Sequence, residues 1–222
     1  MRMDQTTHIR PHVDSEAYAP ARPSITDQFG RTFNYLRIAV NEKCNLRCIY
    51  CMPEEGVQFN PKNEILTTEE ILRVVKVVSD LGVNKIRFTG GEPLLRGDIT
   101  KLVGKSSSTP GIESVHLTTN GVLLDRYAGD LKESGLAGVN ISIDTLNIEK
   151  YIQITRRDEL VRAMEGLEAA KTAGIPSIKV NAVALRGFND SEIVEFVELT
   201  KDYPLTVRFI ELMPFDAHQI WK

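Results

Sequence analysis

The 222-residue sequence lacks the features of a membrane protein or a nucleic-acid-binding protein. No apolar run approaches the roughly 20 residues that a membrane-spanning helix needs, so we expect no membrane among its partners. Lysine and arginine total 27 against 30 aspartates and glutamates, so no excess of positive charge favours a nucleic-acid partner. An anionic ligand would therefore have to be held by cations gathered locally.

Cysteine is scarce, and Cys44, Cys48 and Cys51 are the only ones in the sequence. An odd number in one short run argues against a disulfide-stapled secreted protein. Thiolates are the usual ligands of iron–sulfur clusters, and three of them leave one iron of a four-iron cluster open for a small ligand. The alternative is a structural zinc site with three cysteines and one histidine, although such sites usually divide their ligands between two separated pairs.

The first 28 residues differ in composition from the rest. They contain Pro11, Pro20 and Pro23 among polar residues and show no periodicity, which predicts a flexible N-terminal extension. Arginine, serine and threonine in this segment would suit a transit peptide, whereas its acidic residues would not, and we expect no secretory signal peptide. Residues 29–222 have the composition of one globular domain.

From residue 29 onward, short β-rich runs alternate with amphipathic helical stretches. This alternation predicts an α/β fold with a parallel sheet and right-handed crossovers. Six strands are too few for a closed eight-stranded barrel, so we expect an open (β/α)6 partial barrel of the TIM type. The predicted strands are Leu36–Val40, Lys85–Thr89, Ser114–Thr119, Gly138–Asp144, Ser177–Leu185 and Thr206–Leu212. The predicted helices begin at Thr67 or cover Ile99–Ser106, Leu123–Ser134, Leu160–Ala173 and Ser191–Lys201.

Polar residues recur at every second position of five predicted strands, although buried parallel strands are usually continuous apolar runs. Period two places each set on one side of its strand, and the simplest arrangement points all of them into the barrel. Burying them is unfavourable unless they are paired or meet a ligand, so the interior is the predicted site. The alternative is an internal hydrogen-bond network without a ligand. The polar residues are Arg37, Arg87, Thr89, His116, Thr118, Asn120, Asn140, Ser142, Asp144, Lys179 and Asn181.

Three of these polar residues are cations on three different strands: Arg37, Arg87 and Lys179. Arginine presents a planar fork to phosphate oxygens and lysine a point charge, so together they could bind a triphosphate. The alternative is that they form buried ion pairs with Asp144 or Glu211.

The spacing CxxxCxxC, with Tyr50 before the third cysteine, resembles the radical S-adenosylmethionine (SAM) superfamily. Further motifs resemble the GTP 3′,8-cyclase family within it, also called the molybdenum cofactor biosynthesis protein A family. The resemblance covers roughly Asp27 to Phe215. The motifs are Tyr35–Ile38 (YLRI), Cys51–Gly56 (CMPEEG), Arg87–Leu94 (RFTGGEPL), Thr118–Gly121 (TTNG) and Arg208–Pro214 (RFIELMP).

The resemblance implies cofactors and site residues. It implies that Cys44, Cys48 and Cys51 hold one 4Fe-4S cluster, with SAM on its open iron. Gly90–Pro93 resembles the element that receives the SAM amino group, although alone it could be a simple strand-to-helix turn, and Met213 could be core packing. The implied SAM residues are Tyr50, Gly91, Ser142 and Met213. The implied GTP residues are Arg37, Arg87, Thr118 and Lys179.

The resemblance also implies a lyase reaction that begins molybdenum cofactor (molybdopterin) biosynthesis. In the family, the cluster passes one electron from a donor to SAM, which is cleaved to methionine and a 5′-deoxyadenosyl radical. This radical abstracts a hydrogen from the ribose of GTP. The sugar radical then attacks C8 of guanine, giving (8S)-3′,8-cyclo-7,8-dihydroguanosine 5′-triphosphate.

Full-length members of that family continue past the sixth strand with three more cysteines, which hold a second cluster against the guanine. We therefore expect a barrel truncated after its sixth strand, with the SAM half present and the guanine half absent. Two alternatives remain: another radical SAM enzyme that needs one cluster, or a non-catalytic isoform or fragment. Family members are commonly dimers, which implies a homodimer. The Met213–Asp216 sequence resembles eukaryotic members, so we expect the mitochondrial matrix in a eukaryote and the cytoplasm otherwise.

Overall fold

The structure is a computed structural model that describes residues 23–61, 64–201 and 203–213. Six strands form one parallel sheet in which every strand pairs with the next along the chain. This order confirms the predicted α/β architecture of a (β/α)6 partial barrel, with β1 and β6 as its two edges. The strands are β1 (Tyr35–Ala39), β2 (Lys85–Thr89), β3 (Ser114–Thr119), β4 (Leu136–Ser142), β5 (Ile178–Ala184) and β6 (Leu205–Glu211).

Helices connect the strands as the alternating pattern predicts. Each predicted strand is found with its ends within two residues, and β2 and β3 match at both ends. No helix in the described part of the chain is long and apolar enough to cross a membrane. The helices are α1 (Thr68–Asp80), α2 (Ile99–Ser107), α3 (Leu124–Glu133), α4 (Ile148–Thr155), α5 (Leu160–Thr172) and α6 (Ile193–Glu198).

The start of α1 follows directly from its sequence. The side chain of Thr67 accepts a hydrogen bond from the backbone N–H of Glu70, and the Glu70 carboxylate accepts one from the Thr67 N–H in return. This reciprocal capping box satisfies two N–H groups that a helix start leaves unpaired. The predicted helix start at Thr67 is therefore confirmed.

The sequence analysis missed α4 and made α6 too long. Helix α4 contains several β-branched residues, which are weak helix formers, but the Asn147 side chain caps it and Tyr151 and Ile154 bury its inner face. In place of the predicted helix Ser191–Lys201, the chain forms a 3₁₀ turn at Asp190–Glu192 and then only the six residues of α6.

The core lies between the sheet and the helices. Along each central strand, the buried apolar residues occupy one parity and face the helices, which leaves the other parity for the barrel interior. The strand residues in this core include Ile86, Phe88, Val115, Leu117, Val139, Ile141, Val180 and Ala182. A sheet with one apolar face and one polar face therefore separates the folding core from the interior.

The predicted N-terminal extension falls mostly on residues 1–22, which lie outside the described part of the chain. The described chain already folds back on itself before residue 29, because Thr26 and Thr32 pair in an antiparallel bridge. The division into residues 1–28 and 29–222 stays a prediction.

Replacing Phe88 with alanine tests this core. Phe88 is completely buried in β2, so we expect the free energy of unfolding to fall by about 3 to 5 kcal/mol. Val77→Ala, on the exposed side of α1, is the control and should cost no more than about 0.5 kcal/mol. Denaturant unfolding followed by circular dichroism measures both, and equal losses would contradict the assigned core.

Candidate active site

The three cysteines lie in a loop between β1 and α1. Two backbone hydrogen bonds fix the loop to the end of α4: Arg47 N–H donates to Thr155 and Ile49 N–H donates to Ile154. The Arg156 guanidinium adds two more, because its Nη1 donates to the carbonyl oxygens of Arg47 and Met52, both at 3.1 Å. Arg156 caps α4 in the left-handed conformation, which turns the chain sharply at this point. The unpredicted helix α4 is thus the support of the cysteine loop.

The thiols in this loop are unpaired cysteines, with Cys44 and Cys48 half-buried and Cys51 exposed. The pKa of Cys48 is raised to about 12, first by burial and then by the negative charges of Asp144, Cys44 and Cys51. The three sulfurs are therefore close enough to influence one another, and a positively charged metal group would relieve this cost of ionising them. Among the described residues, no group of three His, Cys, Asp or Glu side chains is arranged to hold a metal ion.

Gly90 and Gly91 bring a second loop against the cysteine loop. A β-carbon on Gly90 would overlap the carbonyl oxygen of Asn41, and one on Gly91 would overlap that of Lys43. The two backbones are joined by hydrogen bonds from Gly91 N–H to Asn41 (2.9 Å) and from Glu92 N–H to Lys43 (2.7 Å). Only glycine allows so close an approach.

The Glu92 carboxylate fastens this glycine loop to the end of β3. It is buried and accepts hydrogen bonds from the Thr119 hydroxyl (2.7 Å) and from the backbone N–H groups of Asn120 (2.7 Å) and Leu94 (3.0 Å). Burial raises the pKa of Glu92, and these hydrogen bonds oppose that rise. The sequence analysis gave Glu92 no role of its own. The sequence feature that could have pointed to Glu92 is its position directly after two glycines at the end of a strand.

Tyr50, a predicted SAM residue, is held by a buried carboxylate. Its hydroxyl donates to Asp144 Oδ2 at 2.5 Å, and Asp144 Oδ1 accepts from the Val183 N–H at 2.8 Å. Asn189 donates in turn to the carbonyl oxygen of Asp144 at 2.6 Å. The Asp144 carboxylate therefore ties the cysteine loop to β4 and β5, and the predicted alternative that it pairs with a cation is not what the structure contains.

Most of the inward polar residues line one cavity of about 460 Å³, bounded also by β6. Thr89, which directly precedes Gly90, is part of its wall, so the cavity reaches the strand ends where the glycine loop begins. It contains the predicted GTP residues Arg37, Arg87 and Thr118. The full lining is Arg37, Arg87, Thr89, Thr118, Asn140, Asn181, Arg208, Phe209 and Ile210.

The cations of the cavity are not neutralised by carboxylates. In the described part of the chain, no salt bridge joins the lining residues Arg37, Arg87 and Arg208, or the neighbouring Lys179, to an acidic group. Desolvation lowers the pKa of Lys179, and the positive charges of Arg208, Lys85 and Arg87 lower it further. The alternative of ion pairs with Asp144 or Glu211 is therefore not found among the described residues, and the cavity carries uncompensated positive charge.

Arg208 is a cavity residue that the sequence analysis did not assign. Its guanidinium donates twice to Asn181 Oδ1, at 2.9 Å from Nε and 2.7 Å from Nη2. Desolvation lowers the pKa of Arg208, and the positive charges of Arg87 and Arg37 lower it as well. The alternation of residues along β6 could have identified it, because Arg208 pairs in register with Asn181, which faces the barrel interior.

The remaining predicted residues lie near the cavity rather than in its wall. Lys179 lies on β5 opposite Asn140, and Ser142 ends β4 opposite Asn181. Met213 lies two residues beyond β6, is 54% exposed and does not line the cavity. Their predicted roles stay predictions.

Comparison with known proteins decides the family. The model of the radical SAM superfamily matches residues 38–200, which include the cysteine loop, the end of β1 and all of β2 to β5. The chain belongs to the radical SAM superfamily.

Radical SAM proteins that resemble this chain include GTP 3′,8-cyclases, which confirms the predicted resemblance. The GTP 3′,8-cyclase of Pelotomaculum thermopropionicum is 51% identical over 195 residues, which is 88% of this chain and 60% of the relative. Molybdenum cofactor biosynthesis protein 1 of Mus musculus is 49% identical over 204 residues, 92% of this chain and 32% of the relative. The chain thus spans 60% or less of the length of these two relatives.

Solved structures show the same fold. SuiB of Streptococcus suis bound to S-adenosylmethionine has a TM-score of 0.64 at 20% identity, covering 81% of this chain and 41% of that one. HydG, a maturase of the [FeFe]-hydrogenase, has a TM-score of 0.65 at 16% identity, covering 81% of this chain and 43% of that one. The radical SAM family implies a 4Fe-4S cluster and SAM as cofactors.

Replacing Gly91 with alanine tests the contact between the two loops. The added methyl group would meet the Lys43 carbonyl, so the cysteine loop must shift and we expect at least half of the iron loading to be lost. Gly97→Ala is the control, since nothing lies within 4 Å of its added carbon. Iron and sulfide content after anaerobic reconstitution measures both variants, and full loading of Gly91→Ala would contradict the close contact.

His116 on β3 should make the protein sensitive to mild acid. Its pKa is lowered from 6.5 to about 4, first by burial and then by the positive charges of Arg87, Lys85 and Lys179. The unfolded chain binds this proton first, so His116 favours folding above about pH 6.5 and this contribution is lost as the pH falls toward 4. Between pH 7 and pH 5, we expect the free energy of unfolding to fall less in His116→Gln than in the parent chain, as measured by denaturant unfolding. The same loss in both proteins would contradict this.

Proposed function

We propose that this chain is the radical SAM domain of a GTP 3′,8-cyclase, the lyase that converts GTP to (8S)-3′,8-cyclo-7,8-dihydroguanosine 5′-triphosphate. The observation that carries the proposal is a group of cations, including Arg37 and Arg87, that no carboxylate neutralises. They line a cavity that begins beside the glycine loop, which packs against the cysteine loop. Identity of 49% to 51% with GTP 3′,8-cyclases over most of the chain supports it.

Cys44, Cys48 and Cys51 would hold one 4Fe-4S cluster, and this rests on their donor chemistry, because the described side chains are not arranged around a metal ion. Three soft donors within eight residues suit iron better than a mononuclear zinc site, which needs a fourth ligand. The zinc alternative requires a histidine, and the one in the described residues, His116, lies on β3 rather than in the cysteine loop. The loop leaves one iron without a protein ligand, which is where SAM would bind.

SAM would bind between the glycine loop and the ends of β4 and β6. Gly91 is exposed and lies in the loop that packs against the cysteine loop, so its backbone can meet a ligand bound beside the cysteines. Ser142 offers a hydroxyl at the end of β4, and Met213 an apolar side chain beyond β6. Tyr50 is oriented by Asp144, which holds this side of the site in place.

The triphosphate of GTP would occupy the cation-lined cavity. Arg37 and Arg87 face each other in register on β1 and β2, so a phosphate chain can contact both guanidinium groups. Lys179 adds a point charge and Thr118 a hydroxyl. Binding an anion here offsets the mutual repulsion of the cations, which favours triphosphate over a nucleoside or monophosphate.

When bound, the cluster and SAM supply the one-electron chemistry that starts hydrogen abstraction from the ribose. The residues of the chain bind and orient. The glycine loop and the cysteine loop fix one end of the site, and the cations fix the phosphates at the other, so the ribose is held between them.

The proposal extends to partners and location. The reaction requires an electron donor, and we propose a homodimer like that of related cyclases. We propose the mitochondrial matrix in a eukaryote and the cytoplasm otherwise. We propose a division at residue 28, which is tested by removing residues 1–28 and measuring the stability of the remaining chain.

The function is tested by SAM cleavage in the anaerobically reconstituted chain. We expect about four irons per chain, and 5′-deoxyadenosine formation with a reductant that GTP increases at least about tenfold, because bound substrate completes the closed site. Arg87→Gln should lose the GTP effect, whereas Arg73→Gln, on the exposed face of α1, should keep it.

Each alternative has its own result. SAM cleavage that is indifferent to GTP would indicate another single-cluster radical SAM enzyme. Four irons without 5′-deoxyadenosine would indicate a non-catalytic chain. One zinc per chain, without iron, would overturn the enzyme assignment altogether.

A further inference from the structure

Tyr35 lies between the two arginines that face each other at the edge of the sheet. It begins β1 and shares the inward parity of Arg37, two residues later. Arg37 pairs in register with Arg87 on β2, and Tyr35 pairs with Lys85. Three cations thus surround one phenol ring, although the sequence analysis gave Tyr35 no role beyond its place in a motif.

The Tyr35 hydroxyl accepts a hydrogen bond from both arginines. Arg37 Nε donates at 3.0 Å and Arg87 Nε at 2.7 Å. The phenol oxygen therefore acts as a shared acceptor for both guanidinium groups. The ring also lies under two charges, with the Arg37 guanidinium carbon 5.5 Å and the Lys85 Nζ 5.6 Å from its centre.

This arrangement decides which edge of each guanidinium remains for a ligand. The Nε–H groups point to Tyr35, so the terminal Nη groups extend away from it, and both arginines line the cavity whereas Tyr35 does not. Arg87 Nη1 makes only long hydrogen bonds, at 3.3 Å to the Leu117 carbonyl and 3.3 Å to the Thr118 hydroxyl. The ends that bind phosphate in a two-pronged manner are therefore presented to the cavity.

A neutral acceptor is well suited to this position. Like charges directly opposite one another on neighbouring strands destabilise a sheet, and a carboxylate between Arg37 and Arg87 would relieve that repulsion. It would also cancel the positive charge that attracts an anion. A phenol orients both groups by hydrogen bonds and leaves their charge in place.

We propose that Tyr35 is a positioning residue that aligns Arg37 and Arg87 as a paired fork for adjacent phosphate groups of a polyphosphate. This rests on the proposed function, because it takes the cavity as the triphosphate site. Tyr35 acts through the arginines and does not itself contact the ligand. Its loss should therefore weaken polyphosphate binding more than binding of a single phosphate.

The experiment measures binding of inorganic tripolyphosphate and of inorganic phosphate to the chain by calorimetry. Tyr35→Phe keeps the ring and its contacts with the cations and removes only the oxygen. We expect tripolyphosphate binding to weaken about three- to tenfold, the range that corresponds to one or two lost hydrogen bonds, with a smaller change for phosphate. The thermal midpoint of the variant should lie close to that of the parent chain.

Tyr203→Phe is the matched control. Tyr203 resembles Tyr35 in having a hydrogen-bonded hydroxyl and a cation near its ring. Its hydroxyl donates to the Lys171 carbonyl at 3.0 Å, and Lys171 Nζ lies 4.8 Å from its ring centre. The same atom is removed beside a cation, away from the proposed site. We expect unchanged tripolyphosphate affinity.

A second comparison separates positioning from general loss of structure. Arg87→Lys keeps the charge but has no Nε–H to donate to Tyr35, so adding Tyr35→Phe to it should cost less affinity than Tyr35→Phe alone. Equal costs in the two backgrounds would overturn the proposal that Tyr35 acts through Arg87.

The outcomes distinguish this inference from the proposed function. If Tyr35→Phe binds tripolyphosphate as tightly as the parent chain, the positioning role is wrong and the triphosphate site stands. If the parent chain binds neither tripolyphosphate nor GTP, the triphosphate site of the proposed function is wrong and the inference fails with it.

Discussion

The close contact between the glycine loop and the cysteine loop is the constraint on which the site depends. Gly90 and Gly91 allow two backbones to hydrogen bond directly, where any side chain would force them apart. The buried Glu92 carboxylate then joins this pair of loops to β3. The thiols lie in a loop, but these hydrogen bonds fix the position of that loop relative to the sheet. A reactive site built on rigid elements can hold its geometry more closely than one built on loops alone.

The two faces of the sheet have separate tasks. Its outer face packs apolar side chains against the helices and supplies the stability of the fold. Its inner face carries the cations and hydrogen-bonding groups of the cavity, which is electrostatically unfavourable without an anion. Stability on one face thus supports a strained arrangement of charge on the other, as is common at functional sites.

Much of this organisation could be predicted from the sequence. Strand positions and the shared inward side of Arg37, Arg87 and Thr118 follow from a period of two, which is local information. Helix α4 could not be predicted in this way, because its weak helix formers are stabilised by tertiary packing of Tyr151. The hydrogen-bond partners of Asp144 could not be predicted from the sequence either. A carboxylate can pair with a cation or accept from a phenol, and only the folded positions distinguish the two.

The attachment of the cysteine loop to α4 has a consequence for assembly in the cell. The hydrogen bond from Arg156 to the Arg47 carbonyl joins positions 109 residues apart in sequence. During synthesis, the thiols leave the ribosome long before the segment that supports them has been made. The cysteine loop therefore gains its support only after β4 and α4 have been made, so the proposed cluster would enter a site completed late in folding.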